Sequence, residues 1–123
     1  MRLAILAAGV LALAGTASAA TTRKVPTDEY PTIQSAEDAS SDGDTIVVTG
    51  RVAPENVIVD VPNLRLTGKK AILDGTVGST DGDCLTIRAP GVIVEGFTFR
   101  NGERHIWSNG GILAVAKCTF VDS

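Results

Sequence analysis

The chain has 123 residues, a formal net charge of −3 and 44% hydrophobic residues, and this length accommodates a single domain. The hydrophobic content is too high for an intrinsically disordered chain and is sufficient for a core. A mildly acidic chain without a run of basic residues has nothing that would attract nucleic acid or an anionic membrane surface. We therefore expect a small globular protein that does not bind nucleic acid.

The first 19 residues have the composition of a secretory signal peptide. Arg2 supplies a positive charge, an apolar run follows over residues 3–14, and residues 17–19 (Ala-Ser-Ala) have the small side chains that a signal peptidase recognises. As a helix the apolar run would span only about 18 Å, against about 30 Å for the hydrocarbon core of a bilayer. We expect cleavage before Ala20, export to the periplasm or the extracellular space, and no stable membrane insertion.

One short helix is predicted near the start of the exported chain. Residues 20–29 are polar, and we expect them to be a flexible segment. A helical pattern follows, in which apolar residues recur at every third position from Ile33. Thr32 is suited to cap the amino end of this helix, and Gly43 is suited to end it. The pattern predicts a helix over residues 33–41 that covers the elements after it.

From residue 44 onward, the sequence is typical of short strands that recur in a fixed order. Apolar residues, mostly Val and Ile, alternate with polar ones in runs that end at Gly, Pro, Asn or Asp. Two copies align at an offset of 28 residues, which matches Val57, Val59, Leu64 and Leu66 with Leu85, Ile87, Val92 and Val94. The turn matches as well, because Pro62-Asn63 and Pro90-Gly91 both suit a type II turn with positive φ at its second central residue.

A third copy follows about 21 residues later, with Ile106 matching Leu85 and Phe120 matching Phe99. Its register is uncertain by one residue between positions 110 and 117. A repeat this short cannot bury its own apolar face, and stacking of successive copies about 4.8 Å apart solves that problem. The sequence thus predicts an all-β fold, a right-handed parallel β-helix (solenoid) of about three coils over residues 30–123. An antiparallel β-sandwich is the alternative, but it does not explain the fixed order.

Three segments resemble a known superfamily. Residues 30–36 (Tyr-Pro-Thr-Ile-Gln-Ser-Ala), 43–48 (Gly-Asp-Thr-Ile-Val-Val) and 91–101 (Gly-Val-Ile-Val-Glu-Gly-Phe-Thr-Phe-Arg-Asn) are similar to the first coils of right-handed β-helix proteins of the pectin lyase-like superfamily. The resemblance covers about residues 30–122. It implies the fold, whereas members of that superfamily include lyases, hydrolases, esterases and adhesins, so the activity must be inferred from particular side chains.

Four residues are candidates for a carbohydrate-binding surface. Arg88, Glu95 and Arg100 lie between inward-facing apolar positions and are expected to face outward. Trp107, the only tryptophan, has a flat apolar ring with a polar edge, which is suited to stacking on a sugar. The alternatives are a solvated charged face for the three charged residues and a filler at a corner of the fold for the indole.

Metal binding has only a weak candidate. Asp81 and Asp83 lie two apart in a polar loop and could offer oxygens to Ca²⁺, yet a calcium site needs about six to eight oxygen ligands. An ordinary turn is the alternative interpretation of this loop and of the similar Asp-Gly-Asp at 42–44. We expect no other cofactor.

The remaining chemistry-bearing residues have structural alternatives. His105, the only histidine, could act as an acid or base, but no nearby Ser or Cys is placed as its nucleophile, and a solvated turn explains it equally. Cys118 lies in an apolar alternation and is expected in the core, whereas Cys84 is out of phase with its neighbours and is expected to point elsewhere. An oxidising compartment permits a disulfide between them without requiring one.

Sequence motifs of catalysis are missing. Polygalacturonase-like hydrolases carry Asn-Thr-Asp, Asp-Asp, Gly-His-Gly and Arg-Ile-Lys, and none of these occurs in the sequence. We therefore expect an exported, non-catalytic module that binds polysaccharide or a cell-surface partner. The alternative is the N-terminal fragment of a carbohydrate-active lyase or esterase that acts on acidic polysaccharide. Because Phe120 and Val121 are still strand residues, we also expect a truncated chain or self-association through the C-terminal edge.

Overall fold

The computed structural model describes residues 20–50, 52–75, 83–101, 104–109 and 111–121, and these residues form a mainly β structure with one short helix. The all-β class predicted from the sequence is confirmed. The predicted signal peptide, residues 1–19, lies outside the described residues. The elements are β1 (Thr22–Val25), α1 (Ile33–Asp38), β2 (Thr45–Thr49), β3 (Val52–Pro54), β4 (Val57–Val59), β5 (Arg65–Asp74), β6 (Leu85–Ile87), β7 (Val92–Arg100), β8 (Ile106–Ser108), β9 (Ile112–Ala116) and β10 (Thr119–Val121).

The strands form two sheets. The larger is seven-stranded, with the order β9-β7-β5-β2-β1, and with β10 paired to β7 and β3 paired to β5. The smaller is three-stranded, with the order β4-β6-β8. Every strand pair in the described ranges is parallel. The antiparallel β-sandwich considered from the sequence is therefore wrong.

The registers of the sheets reproduce the repeat found in the sequence. Val57 pairs with Leu85, and Leu66 pairs with Val94, which confirms the offset of 28. Ile106 pairs with Leu85 and Phe120 with Phe99 in the third copy. The register between β9 and β7 shifts between Ile112 and Ala114, so that the uncertain stretch of the third copy contains an irregularity of the β-bulge type.

The turns between the sheets stack in the same way as the strands. Asn63 has φ of 59° and Gly91 has φ of 74°, as the sequence predicted for the second central residue of both turns. The backbone amide of Asn63 donates to the Pro90 carbonyl at 2.9 Å, and that of Gly91 donates to the Gly111 carbonyl at 2.7 Å. Backbone hydrogen bonds therefore connect successive repeats at the turns as well as along the strands.

The core lies between the inward faces of the two sheets and the apolar face of α1. Alternation along the strands places every second side chain inside, with an interruption in the middle of β5 and of β7, and this explains the short Val- and Ile-rich runs of the sequence. The largest fully buried hydrophobic side chains are Phe97, Phe99, Ile33, Ile46, Leu64, Leu66, Leu73, Leu85, Ile87, Val25 and Val48.

The segment 20–29 contains a strand that was not predicted from the sequence. β1 pairs in parallel with β2, and Val25 is buried. Arg23 Nη1 lies 2.7 Å from an oxygen of the buried Asp44 carboxylate. The expectation of a flexible segment is corrected here, because an ion pair and one apolar residue hold the strand in place without the alternation by which strands are usually recognised.

Helix α1 is shorter than predicted. Thr32 caps its amino end as expected: the Thr32 hydroxyl accepts from the Ser35 amide, and the Ser35 hydroxyl accepts from the Thr32 amide. The helix ends at Asp38, with Ala39 as its C-terminal cap, and does not reach residue 41. Gly43 does not end the helix but lies in the following turn, with φ of 83°.

Cys84 is also placed differently from the prediction, because it is fully buried in the core. Its Sγ atom lies 3.3 Å from the Asn101 carbonyl oxygen, and a Cβ atom added to Gly75 would lie 2.8 Å from the same sulfur. Glycine at 75 thus makes room for a thiol that the strand pattern alone places outside. Both cysteines are free, with Cys118 half-buried, and burial raises the pKa of the Cys84 thiol, which makes it a poor nucleophile.

Candidate functional site

A cavity of about 420 Å³ lies on the outward face of the three-stranded sheet. Leu85 and Ile87 of β6 are buried, so alternation turns Thr86 outward, and Thr86 pairs with Trp107 of β8. Arg88 directly follows β6 and is exposed. The parallel pairing of β6 and β8 thereby brings side chains from two repeats to one surface. The cavity is lined by Asp83, Thr86, Arg88, Arg104, Trp107 and Asn109.

An ion pair between a half-exposed arginine and a buried carboxylate forms one wall of this cavity. Arg104 donates through Nε and Nη2 to the two oxygens of the Asp83 carboxylate, at 2.9 Å each. The Asp83 side chain is 2% exposed, whereas that of Arg104 is 51% exposed. The guanidinium carbon of Arg104 lies 5.6 Å from the centre of the Trp107 ring, within the range of a cation–π contact.

The second arginine of the cavity has a different environment. Among the described residues, no carboxylate oxygen lies within 4.0 Å of the Arg88 guanidinium. Asp83 compensates the charge of Arg104, so among the described lining residues Arg88 adds one uncompensated positive charge. An indole, a hydroxyl from Thr86, an amide from Asn109 and this guanidinium together suit a ligand with a flat apolar face and many hydroxyl groups.

Two of the four predicted carbohydrate-binding residues lie elsewhere. Glu95 and Arg100 belong to β7 in the seven-stranded sheet and do not line the cavity with Arg88 and Trp107. Arg100 Nε lies 3.1 Å from an oxygen of the Asp74 carboxylate. The four predicted residues thus do not form a single groove.

Glu95 takes part in a local polar network on its own sheet. Its Oε2 atom accepts from Arg65 at 2.9 Å and from the Thr67 hydroxyl at 3.0 Å. These hydrogen bonds, that of Arg65 first, hold the pKa of Glu95 below its ordinary value, and the nearby Lys117 contributes in the same direction. A carboxylate held in its ionised form by two donors is suited to stabilising the surface of the sheet.

Three cavity residues were not singled out from the sequence: Thr86, Arg104 and Asn109. Arg104 follows Asp83 by 21 residues, which is the offset of the third copy, so the repeat itself indicated that the two would lie side by side. Thr86 and Asn109 carried no such indication, because hydroxyl and amide residues are common on exposed strands and turns.

The calcium candidates do not form a site in the described residues. Asp81 lies outside them, and both oxygens of Asp83 accept from Arg104. The Asp44 carboxylate of the second Asp-Gly-Asp is buried, which disfavours its charge, but the amides of Thr21 and Ser41 and the Arg23 guanidinium lower its pKa overall. Within the described ranges, no group of three or more His, Cys, Asp and Glu side chains is arranged to hold a metal ion.

His105 packs at the outer edge of the fold. Its Nε2 atom lies 3.0 Å from the Val121 carbonyl oxygen, and its ring lies 5.5 Å from that of Phe120. The imidazole thus contacts strand β10 and does not line the cavity. This contact explains the histidine structurally.

A second cavity, of about 470 Å³, lies beside β1. Its arginine, Arg23, contacts Asp44, the Tyr30 hydroxyl and the Ser40 hydroxyl. The hydrogen bond to Asp44 first, and then that to Tyr30, raise the pKa of Arg23. Its side chain therefore serves to attach β1 to the rest of the fold.

Comparisons with family models, curated proteins and solved structures found no match. Among the described residues, no helix is long and apolar enough to cross a membrane.

Proposed function

We propose that this protein is an exported, non-catalytic module that binds polysaccharide through the cavity beside Arg88 and Trp107. The observation that carries the proposal is the juxtaposition of these two residues, which come from different repeats and line one cavity. Aromatic rings with a polar edge supply large contact area to sugars, and a guanidinium and an amide supply directional hydrogen bonds.

We also propose that the fold is a right-handed parallel β-helix of the pectin lyase-like type. The parallel pairing of all described strands and the constant order of the repeats support this architecture. Right-handedness is expected because parallel strands joined by a crossover adopt that hand in nearly all proteins. In such an architecture, successive repeats form a continuous surface along which an extended polymer binds.

The alternative function is that of an N-terminal fragment of a lyase or esterase acting on acidic polysaccharide. Against it stands the state of the cavity carboxylate: Asp83 is buried and engaged at both oxygens by Arg104. A general base must be within reach of a proton on the substrate, and a carboxylate enclosed in this way is poorly placed for that role.

The test is a binding and activity screen of the full chain, expressed with its own N-terminal segment. The exported product is sequenced at its N-terminus, for which we expect Ala20, and is then sedimented with insoluble polysaccharides and assayed on pectin and polygalacturonate. We expect co-sedimentation with at least one polysaccharide and no turnover of either substrate.

The matched variants are Arg88→Ala, Trp107→Ala and Arg65→Ala. The first two remove cavity side chains, whereas Arg65 is an exposed arginine of the other sheet. Each cavity substitution should weaken binding about tenfold, and Arg65→Ala should not. Equal effects of all three variants, or no binding to any polysaccharide, contradict the proposed site. Turnover of pectin or polygalacturonate would instead support the enzyme alternative.

A further inference from the structure

We propose that Asp83 and Arg104 are positioning residues for Trp107, which hold the indole in one orientation before a ligand binds. The inference relies on the proposed function only for its consequence on polysaccharide affinity, because the placement of the indole is measurable without a ligand. Three observations carry it: the burial of Asp83, the attachment of both residues to the backbone of neighbouring repeats, and the contact between Arg104 and the ring.

The first observation is that the Asp83 carboxylate is almost fully buried and uses both oxygens on Arg104. A buried carboxylate requires a charged partner, because its loss of hydration is otherwise uncompensated. Two parallel hydrogen bonds fix the plane as well as the position of a guanidinium. The buried carboxylate of Asp83 thus orients the Arg104 guanidinium, although half of the arginine side chain is exposed to solvent.

The second observation is that both residues of the pair are hydrogen-bonded through their backbone carbonyls to neighbouring repeats. Asn56 Nδ2 donates to the Asp83 carbonyl oxygen at 2.7 Å. The Cys84 amide donates to the Arg104 carbonyl oxygen at 3.0 Å. These bonds connect adjacent repeats immediately before β6 and β8, so the backbone that carries the carboxylate and the guanidinium is hydrogen-bonded to its neighbours.

The third observation concerns the ring itself. The Arg104 guanidinium lies over Trp107 at 5.6 Å, and this contact covers part of one ring face. A ligand that stacks on Trp107 therefore uses the surface that Arg104 does not cover. The two cavity arginines have different tasks in this arrangement: Arg104 orients the indole, and Arg88 offers its charge to the ligand.

The experiment measures the environment of the indole in the unliganded, full-length protein. Trp107 is the only tryptophan, so emission and acrylamide quenching report this position alone. The variants are Asp83→Asn and Arg104→Met. Arg88→Met is the control, because Arg88 lines the same cavity without an observed contact with the Trp107 ring. We expect the first two to raise the quenching constant about twofold and to shift emission to longer wavelength. The control should match wild type.

Wild-type quenching in both Asp83→Asn and Arg104→Met overturns the inference, and so does an equal change in Arg88→Met. Far-UV circular dichroism establishes that each variant is folded. Should either substitution prevent folding, Arg104→Lys decides, because it keeps a positive charge beside the buried carboxylate and lacks the two parallel hydrogen bonds that fix the guanidinium.

Ligand binding separates this inference from the proposed function. For a polysaccharide that binds wild type, Asp83→Asn should weaken affinity about threefold, less than the loss caused by Arg88→Ala. If a variant shows altered quenching and yet binds the polysaccharide with wild-type affinity, Asp83 and Arg104 position a ring that the ligand does not use. This result would contradict the predicted effect on affinity. If no polysaccharide binds wild type, the proposed function fails, while the quenching measurements still decide the positioning role.

Discussion

The first and last repeats of the stack differ in how their outer strand edges are covered. Beside β4, the Gln34 side chain takes the place of a neighbouring strand: its Oε1 accepts from the Ile58 amide at 2.8 Å, and its Nε2 donates to the Ile58 carbonyl at 3.0 Å. Glu37 Oε2 likewise accepts from the Asp60 amide at 2.8 Å. The helix therefore satisfies a strand edge with polar side chains, which is one way in which proteins prevent edge-to-edge pairing.

At the opposite end, β9 and β10 have no further strand beside them among the described residues. Three large apolar side chains, Val115, Phe120 and Val121, are exposed there. The Phe120 ring stacks on the buried Phe99 ring, with centroids 5.4 Å apart. The comparison shows that the same ladder position is core in one repeat and surface in the next, so residue type alone does not determine burial.

The largest expected effect separates these two phenylalanines. Phe99→Ala should lower the free energy of unfolding by about 4 kcal/mol, because it leaves a cavity in the core. Phe120→Ala should cost about 1 kcal/mol, since its side chain is 49% exposed and loses less on truncation. Urea unfolding of the two variants measures the difference, and equal losses would contradict the distinction between the two repeats.

The second expected effect concerns Glu37, which lies on the helix-covered end and is 1% exposed. Burial first, and then the side chain and charge of Asp60, raise the pKa of Glu37 from 4.5 to about 7, although the hydrogen bond from the Asp60 backbone amide acts in the opposite direction. The folded chain then holds a proton that the unfolded chain releases. The stabilisation that depends on this proton is complete below pH 4.5 and is lost as the pH rises through about 7.

Glu37→Gln should therefore remove about 2 kcal/mol of the fall in stability between pH 5 and pH 8. In this variant the side chain stays neutral at both pH values, and its amide oxygen still accepts from the Asp60 backbone amide. Unfolding at the two pH values measures the effect, with Glu29→Gln as a control because Glu29 is exposed and lies outside the helix. An unchanged pH dependence in Glu37→Gln would contradict this account of the helix.

The third expected effect concerns self-association, which we propose for the edge strands β9 and β10. We expect Phe120→Ser to raise the dissociation constant of the associated form about tenfold by removing apolar contact area. Light scattering across a range of protein concentrations measures it, with Ile58→Ser as the control because Ile58 is an exposed apolar residue at the helix-covered end. A wild-type monomer at all concentrations contradicts the expectation.

The smallest effect is that of the Gln34 amide. Gln34→Ala should lower the free energy of unfolding by about 1 kcal/mol, since it removes two hydrogen bonds to Ile58 and those to the Glu37 and Asp38 side chains at a partly solvated edge. Gln34→Glu would place a carboxylate beside the Glu37 and Asp38 side chains, so near neutral pH it should be at least as destabilising as alanine. A loss of stability in neither variant would show that water replaces the side chain at this edge.

The strand order and register were predictable from the sequence, and so were two polar contacts that the sequence analysis did not predict. The offset of 28 places Thr67 beside Glu95, and that of 21 places Asp83 beside Arg104, so the repeat already indicated both contacts. β1 escaped prediction because its stability comes from Arg23 and a carboxylate 21 residues away, and not from an apolar alternation.

The cavity was only half predictable for a physical reason. Outward orientation follows from alternation along a strand, and this placed Arg88 and Trp107 on the surface. Which outward faces meet depends on the division of the strands into two sheets, and that division separates Glu95 and Arg100 from the cavity. Alternation carries no information about how the chain bends between sheets.

The central claim is that Arg88 and Trp107 share one polysaccharide-binding surface. The most direct test is to titrate soluble fragments of a bound polysaccharide into the protein and to follow the emission of Trp107. The account predicts a saturable change in emission for wild type and for Arg65→Ala, with the midpoint raised about tenfold in Arg88→Ala. Saturable binding by calorimetry without any change in Trp107 emission, or an equal rise of the midpoint in Arg65→Ala, would contradict it.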